Sequence, residues 1–248
     1  MGKLLRFEFR KLFRAKSFYI LGGILLAWFI ADCLISGLPG HFKNPVQIAP
    51  AYPFYKGLID SFCMLFVGVF VAIYCSQDMA LGTIKNIYGK GYSRTKVYFS
   101  KYIVTLVGTL LMFLVGLLVA LAFLPLYDLS QPIQDNVFAI IVGQLLGIIA
   151  YHGLFFGIST GFRHLAASLS INLMVPIVMS PLVTLIDASA LKDASFKISP
   201  YWIDGLIGTF NAGAVADPSR FALGYILLTA YAMAGILIGF VAARKKQV

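Results

Sequence analysis

Six stretches of this chain, each about as long as a membrane crossing and each with at most one charged residue, leave it little choice of solvent. They run over residues 18–38, 58–75, 102–124, 137–157, 167–186 and 221–243. A helix needs about 20 apolar residues to cross about 30 Å of hydrocarbon, and these runs match that length. Hydrophobic residues make up 60% of the 248 and charged residues only 12%, with a mean hydropathy of +0.87, more apolar than one soluble core requires. The short alternating segments of a membrane β-barrel are absent. The expectation is an all-α membrane protein with six transmembrane helices, in a single domain over 1–248.

The net charge of +10 raises nucleic acid as a partner, but the placement of the basic residues argues against it. Lys3, Arg6, Arg10, Lys11, Arg14 and Lys16 precede the first run; Lys85, Lys90, Arg94, Lys96 and Lys101 fall between the second and third; Arg163, Arg244, Lys245 and Lys246 complete fifteen of the twenty on one side. Lys43, Lys56, Lys192, Lys197 and Arg220 fall on the other. The positive-inside rule then predicts that both termini are cytoplasmic. The acids are distributed oppositely: only Glu8 and Asp78 lie on the basic side, whereas Asp32, Asp60, Asp128, Asp135, Asp187, Asp193, Asp204 and Asp217 lie at or near the other. Cys33, Cys63 and Cys75 all fall inside runs without metal-binding spacing and read as packing residues. The first run exceeds a signal-peptide core and lacks a small-residue cleavage site, which predicts an uncleaved anchor.

Residues 1–17 read as an amphipathic interfacial helix with Leu5, Phe9, Leu12 and Phe13 on one face and Lys3, Arg6, Arg10 and Arg14 on another. Residues 39–56 hold four prolines and predict an irregular outer loop. Residues 187–220 are expected outside, and within them FKISPYWIDGLIGTF is too short to span yet too apolar for a free loop. Re-entrant outer helices anchored by Tyr201 and Trp202 are the expectation. Gly143 with Gly147, then Gly153, Gly157 and Gly161, and Gly235 with Gly239 are spaced by four, which lets helix backbones approach closely. Asn172, Pro176 and Pro181 predict a bend or an opened hydrogen-bond ladder in the fifth span, and Asn172 and Pro176 with Asp32 and Asp60 mark a candidate substrate path. For Asp32, Asp60 and Asp187 two readings stand: an acidic exit vestibule for cationic substrates, or caps on loop backbone that also meet Lys56 and Lys192.

Catalytic motifs are wanting. Ile84 and Gly91 break the only approach to a phosphate-binding GxxxxGK[ST] around Lys90. Residues 157–161 match GxSxG, but they end a glycine-rich span where the elbow needs a strand-to-helix turn. His152 sits seven residues before Ser159, about 10 Å along a helix axis, too far to act as its base. His152 and Gln144 read as interhelical hydrogen-bonding groups.

The remaining distinctive segment is SQDMALGTIKNIYGKGYSRTKVYFSK, residues 76–101, basic and polar between two apolar runs. Residues 78–86 have room for two helical turns along the membrane, 89–91 give a turn, and Ser93 is a candidate N-cap for the third span. An acid after span two, then Gly82-Thr83, Lys85, Gly91, Ser93-Arg94 and Lys101, resembles the permease subunits of type-2 ATP-binding-cassette exporters. The opening LLRFEFRKLFRAKSFYI, with Glu8 and Phe9 before basic residues, resembles the start of the same permeases. At this length, without a fused nucleotide-binding domain, the chain is similar to bacterial permeases for antimicrobial peptides, lantibiotics and bacitracin-like drugs.

The resemblance implies six helices per half, a second permease copy or paralogue, and cytosolic ATPase subunits that hold the ATP and magnesium, with no cofactor in this chain. It makes residues 76–96 a coupling loop between spans two and three, and gives Asp78, Gly82, Thr83, Lys85, Asn86, Ser93, Arg94 and Lys101, with Glu8 and Arg10, a part in ATPase coupling. The cargo implied is an amphipathic peptide, antibiotic or lipid-like molecule. An ion-coupled carrier or channel is the alternative, but it calls for charges at mid-membrane, where the spans are almost uncharged.

Overall fold

The computed structural model describes residues 1–42, 61–123, 137–162, 164–192, 194, 196–211 and 218–245. Every regular element among them is helical. The order is α1 (Gly2–Leu12), α2 (Lys16–Phe42), α3 (Ser61–Ala80), α4 (Thr83–Gly89), α5 (Arg94–Phe123), α6 (Val137–Gly161), α7 (Leu165–Met174), a π-turn (Val175–Met179), α8 (Ser180–Ser189), a 3-10 turn (Ser199–Tyr201), α9 (Ile203–Asn211) and α10 (Pro218–Lys245). Among the described residues five spans are long and apolar enough to cross a membrane, α7 through α8 counting as one, and α3 with α4, bent by 61° at the break between them, passes the same test only when the pair is taken together. The chain is a multi-pass membrane protein.

Several boundaries differ from the sequence expectation for one reason: a helix stops at its cap, not where hydrophobicity ends. Helix α2 passes Pro39 and runs to Phe42, so the first loop does not begin at 39. Helix α3 carries Ser76, Gln77 and Asp78, which therefore belong to the second span and not to the coupling loop. Helix α5 starts at Arg94, two turns before its apolar run, where Ser93 Oγ accepts from the Lys96 N–H at 3.4 Å. The rest of the first loop with Lys56 and Asp60, the connection 125–136 and Arg163 lie outside the described residues.

Helix α6 is the hub, well buried and packed against α3, α5, α7, α9 and α10. Its tightest partner is α10, because glycines face each other. A Cβ on Gly157 would lie 2.3 Å from the Gly235 carbonyl oxygen, and one on Gly235 would lie 2.4 Å from the Gly153 carbonyl carbon. Gly239 similarly faces Gly157 Cα at 2.7 Å. Small residues here bring backbone onto backbone, and the gain is van der Waals contact where lipid offers no hydrophobic drive. Gly143 plays a different part, giving room to the Phe210 ring, and Gly161 has nothing within 4 Å. His152, fully buried, lies 3.2 Å from Thr105 Oγ1 through Nε2 and 3.1 Å from Thr109 Oγ1 through Nδ1, fastening α6 to α5.

Pro176, second in the π-turn, has no N–H for a helical hydrogen bond, and the turn absorbs the break without ending the span. After α8 the chain folds back. Asp187 accepts from the Ile198 and Ser199 N–H groups at 2.8 and 2.7 Å, so of its two readings the backbone cap is the one realised. Its carbonyl oxygen takes a bond from Lys197, not Lys192. Helix α9 then buries Ile203, Leu206, Ile207 and Phe210 against α6 and α10.

Candidate coupling site

At the basic end of the bundle, α3 leaves its apolar run at Cys75 and continues for one more turn, which carries Asp78. The chain then turns aside at Gly82, whose φ of +66° is a left-handed conformation that L side chains avoid. Seven residues of helix follow as α4, and Gly91 at φ +82° turns the chain into α5. The two glycines aim α4 across the ends of the spans.

Asp78 joins four elements. Lys11 of α1 donates to its Oδ1 at 2.6 Å, Lys101 of α5 donates to its Oδ2, and Thr83 at the start of α4 donates to Oδ1 at 3.0 Å. The carboxylate is 4% exposed and Lys101 5%, so both charges are out of water and each requires the other. Beside them Glu8, fully buried, receives the Tyr74 hydroxyl at 2.8 Å on Oε2, while Lys11 stands 4.6 Å over the Tyr74 ring. Two acids and two lysines thus balance inside the end of the bundle. Burial pushes the Lys11 ammonium below its usual range, Lys101 adds to this, and Asp78 opposes both.

A second, apolar contact fixes the same helices. Leu4 of α1, Ile87 of α4 and Val97 of α5 form a small core flanked by Tyr88 and Tyr92. Arg94 reaches across to the Arg244 carbonyl at 2.9 Å, tying the start of α5 to the end of α10. Tyr98 donates to the Ile236 carbonyl at 2.6 Å one turn deeper.

The sequence-derived coupling residues therefore divide in two. Asp78, Lys101 and Glu8 are interior: they hold α1, α3, α4 and α5 together. Gly82, Lys85, Asn86, Ser93, Arg94 and Arg10 are exposed, with Thr83 partly so. Lys85, Tyr88, Tyr92, Ser93 and Arg94 line a groove of about 440 Å³ on that outward surface. The expected apolar face of α1 packs on the core through Leu5, Phe9 and Leu12, but the fully buried stripe is shifted from it. It is Leu4, Glu8 and Leu12, while Phe13 is 47% exposed, because the Tyr74 and Asp78 contacts outweigh the hydrophobicity of the phenylalanine face. Lys11, Tyr74 and Ile87 were missed. Lys11 was legible as the cation one turn from Glu8; Tyr74 and Ile87 carry no such signal.

The candidate path residues sit elsewhere. Asn172 is fully buried and donates to the Gly68 carbonyl at 3.0 Å and to Ser159 Oγ at 2.9 Å, joining α7 to α3 and α6. Ser159 is thereby a helix-packing hydroxyl, as its GxSxG context implied. Pro176 is buried in the π-turn, Asp32 is half-buried on α2, and Asp60 is outside the described residues.

A comparison with curated proteins gave no match. Residues 4–178 match the family model described as ABC-2 family transporter protein, a stretch that takes in most of α1, the whole Asp78 cluster and the first part of the fifth span. A membrane subunit of this kind implies association with ABC ATPase subunits. With most of its length matched, and with several helices long and apolar enough to cross a membrane, the chain belongs to the ABC-2 family of transporter membrane proteins.

Proposed function

We propose that this chain is one permease half of an ABC exporter, working as a dimer with a second copy or a paralogue in the bacterial cytoplasmic membrane. Both termini are cytoplasmic, and α4 is the coupling helix seated on a separate ATPase that binds ATP and magnesium. The cargo is an amphipathic peptide, antibiotic or lipid-like molecule. The observation that carries this reading is Asp78, through which α4 is bonded to α1 by Lys11 and to α5 by Lys101.

In this arrangement a push on α4 does not stop at a loop. Thr83 passes it to Asp78, and Lys11 and Lys101 pass it to α1 and α5. A rigid cluster of this kind lets an ATPase that prefers one pose of α4 bias the pose of two spans, and only that difference in affinity supplies the drive. Lys85, Asn86 and the exposed arginines of α1 are the contact surface; the buried set transmits.

The test is co-purification from native membrane in mild detergent. A P-loop ATPase is expected with the wild type. Lys85→Ala with Asn86→Ala should lower the amount bound without changing the thermal midpoint of the permease. If no ATPase accompanies the wild type and transport persists without ATP, the exporter reading gives way to an ion-coupled carrier.

A further inference from the structure

The surface formed by α4 and the turn into α5 differs from the rest of the basic end. Between residues 82 and 102 no large hydrophobic side chain is exposed, whereas the outer side of α1 exposes Phe7 and Phe13. What faces outward is polar or charged: Lys85, Asn86, Lys90, Ser93, Arg94 and Lys96, with glycines among them. A surface bedded in lipid presents aromatic or aliphatic side chains to the acyl boundary. None is offered here, so this surface is made for an aqueous partner.

Its charge has one sign. Lys85, Lys90, Arg94 and Lys96 follow one another closely, and no Asp or Glu occurs between residues 79 and 101. The two acids of this end, Asp78 and Glu8, are buried and engaged by Lys11, Lys101 and Tyr74. Kept inside, they hold the helices together and leave the outer surface without a carboxylate that would compete with an incoming one. A patch of single sign steers and selects a partner of the opposite sign.

The groove gives that charge a shape. Its lining residues, Lys85, Tyr88, Tyr92, Ser93 and Arg94, are two cations and three hydroxyl-bearing side chains. All five residue types can donate hydrogen bonds to an oxyanion, and a guanidinium presents the planar fork that suits a carboxylate. The walls are fixed from behind. Tyr88 and Tyr92 pack on the core of Leu4, Ile87 and Val97, and Arg94 is bonded to the Arg244 carbonyl.

We propose that the ATPase presents an acidic face to α4 and sets an Asp or Glu side chain into this groove, with Lys85 and Arg94 as its counter-charges. That the acidic partner is the ATPase rests on the exporter reading; the preference of the groove for a carboxylate does not.

The test begins with the full-length chain in phosphatidylcholine nanodiscs and dye-labelled hexaglutamate, with hexaglutamine as the neutral control. Saturable binding of hexaglutamate alone is expected. Lys85→Glu should weaken it by at least about tenfold, and Lys85→Arg should keep it. Lys16→Glu, at the start of α2 and outside the groove, changes the net charge equally and should weaken it by less than about threefold. Equal losses in the two reversals, or hexaglutamine bound as tightly as hexaglutamate, overturn the proposal. Loss of phosphatidylglycerol from the detergent-purified chain in Lys85→Glu and not in Lys16→Glu overturns it too, because headgroups then fill the groove. Should Lys85→Glu fail to fold, Lys85→Gln decides, with a loss of at least about threefold expected.

Co-purification supplies the second arm. ATPase held by the wild type at about 0.05 M salt should be released at about 0.5 M, and Lys85→Glu should hold less of it than Lys85→Gln. An ATPase held equally by both variants and at both salt concentrations removes this proposal and leaves the exporter reading standing. No ATPase on the wild type even at low salt removes the exporter reading and, with it, the partner named here.

Discussion

Asp78 is the residue on which the basic end turns, and its removal has a calculable cost. Asp78→Ala leaves Lys101 buried without its carboxylate, and breaking a buried pair costs about 3–5 kcal/mol. The thermal midpoint in detergent should fall sharply, while Arg10→Ala on the exposed side of α1 stays within about 0.5 kcal/mol of wild type. Equal effects from the two would sink the claim that Asp78 is interior to the mechanism. The acid itself was legible in the sequence, as a lone carboxylate among lysines at the end of a span. Its environment was not. Nothing in a linear pattern says that Lys11, 67 residues earlier, and Lys101, 23 residues later, arrive at the same two oxygens. Glu8 was harder still, since amphipathic patterning assigns carboxylates to the outer face of a helix, and here one lies in the buried stripe because Tyr74 is there to meet it.

Helices repeat the lesson with glycine. The spans, the irregularity at Pro176 and the close approach of two glycine faces were all readable, because each follows from length, a missing N–H or spacing by four. Which glycine meets which backbone was not. Gly157→Val should prevent α6 from seating on α10, since its Cβ would stand 2.3 Å from a carbonyl oxygen, whereas Gly161→Val has open space and should leave the monodisperse peak in size exclusion unchanged. A folded Gly157→Val protein with normal stability would count against the backbone contact. Gly82 is a third case, with no steric neighbour and a strained φ. Gly82→Ala should cost about 1–2 kcal/mol by backbone conformation alone. Its larger effect belongs to the aim of α4, so ATPase stimulation should fall more than stability does, a difference that parallel assays on one preparation will read.

For the whole molecule, the arrangement of basic residues predicts an orientation that chemical labelling can check. Cys33, Cys63 and Cys75 are buried, so the wild-type chain should react slowly with a membrane-impermeant maleimide. Cysteine in place of Lys90 should label only when the cytoplasmic face is opened, and cysteine in place of Lys192 should label from outside in intact cells; the opposite pattern would invert the topology. The glycine contact between α6 and α10 also has a consequence for biosynthesis. Helix α10 follows the other spans in the chain, and 56 residues separate it from the end of α6. At about 5–20 residues per second, the glycine face of α6 waits several seconds in lipid before its partner is made. The hub of the bundle is therefore finished last, and a chain stalled or cut before residue 218 would present to membrane quality control a central helix with its closest-fitting side still open.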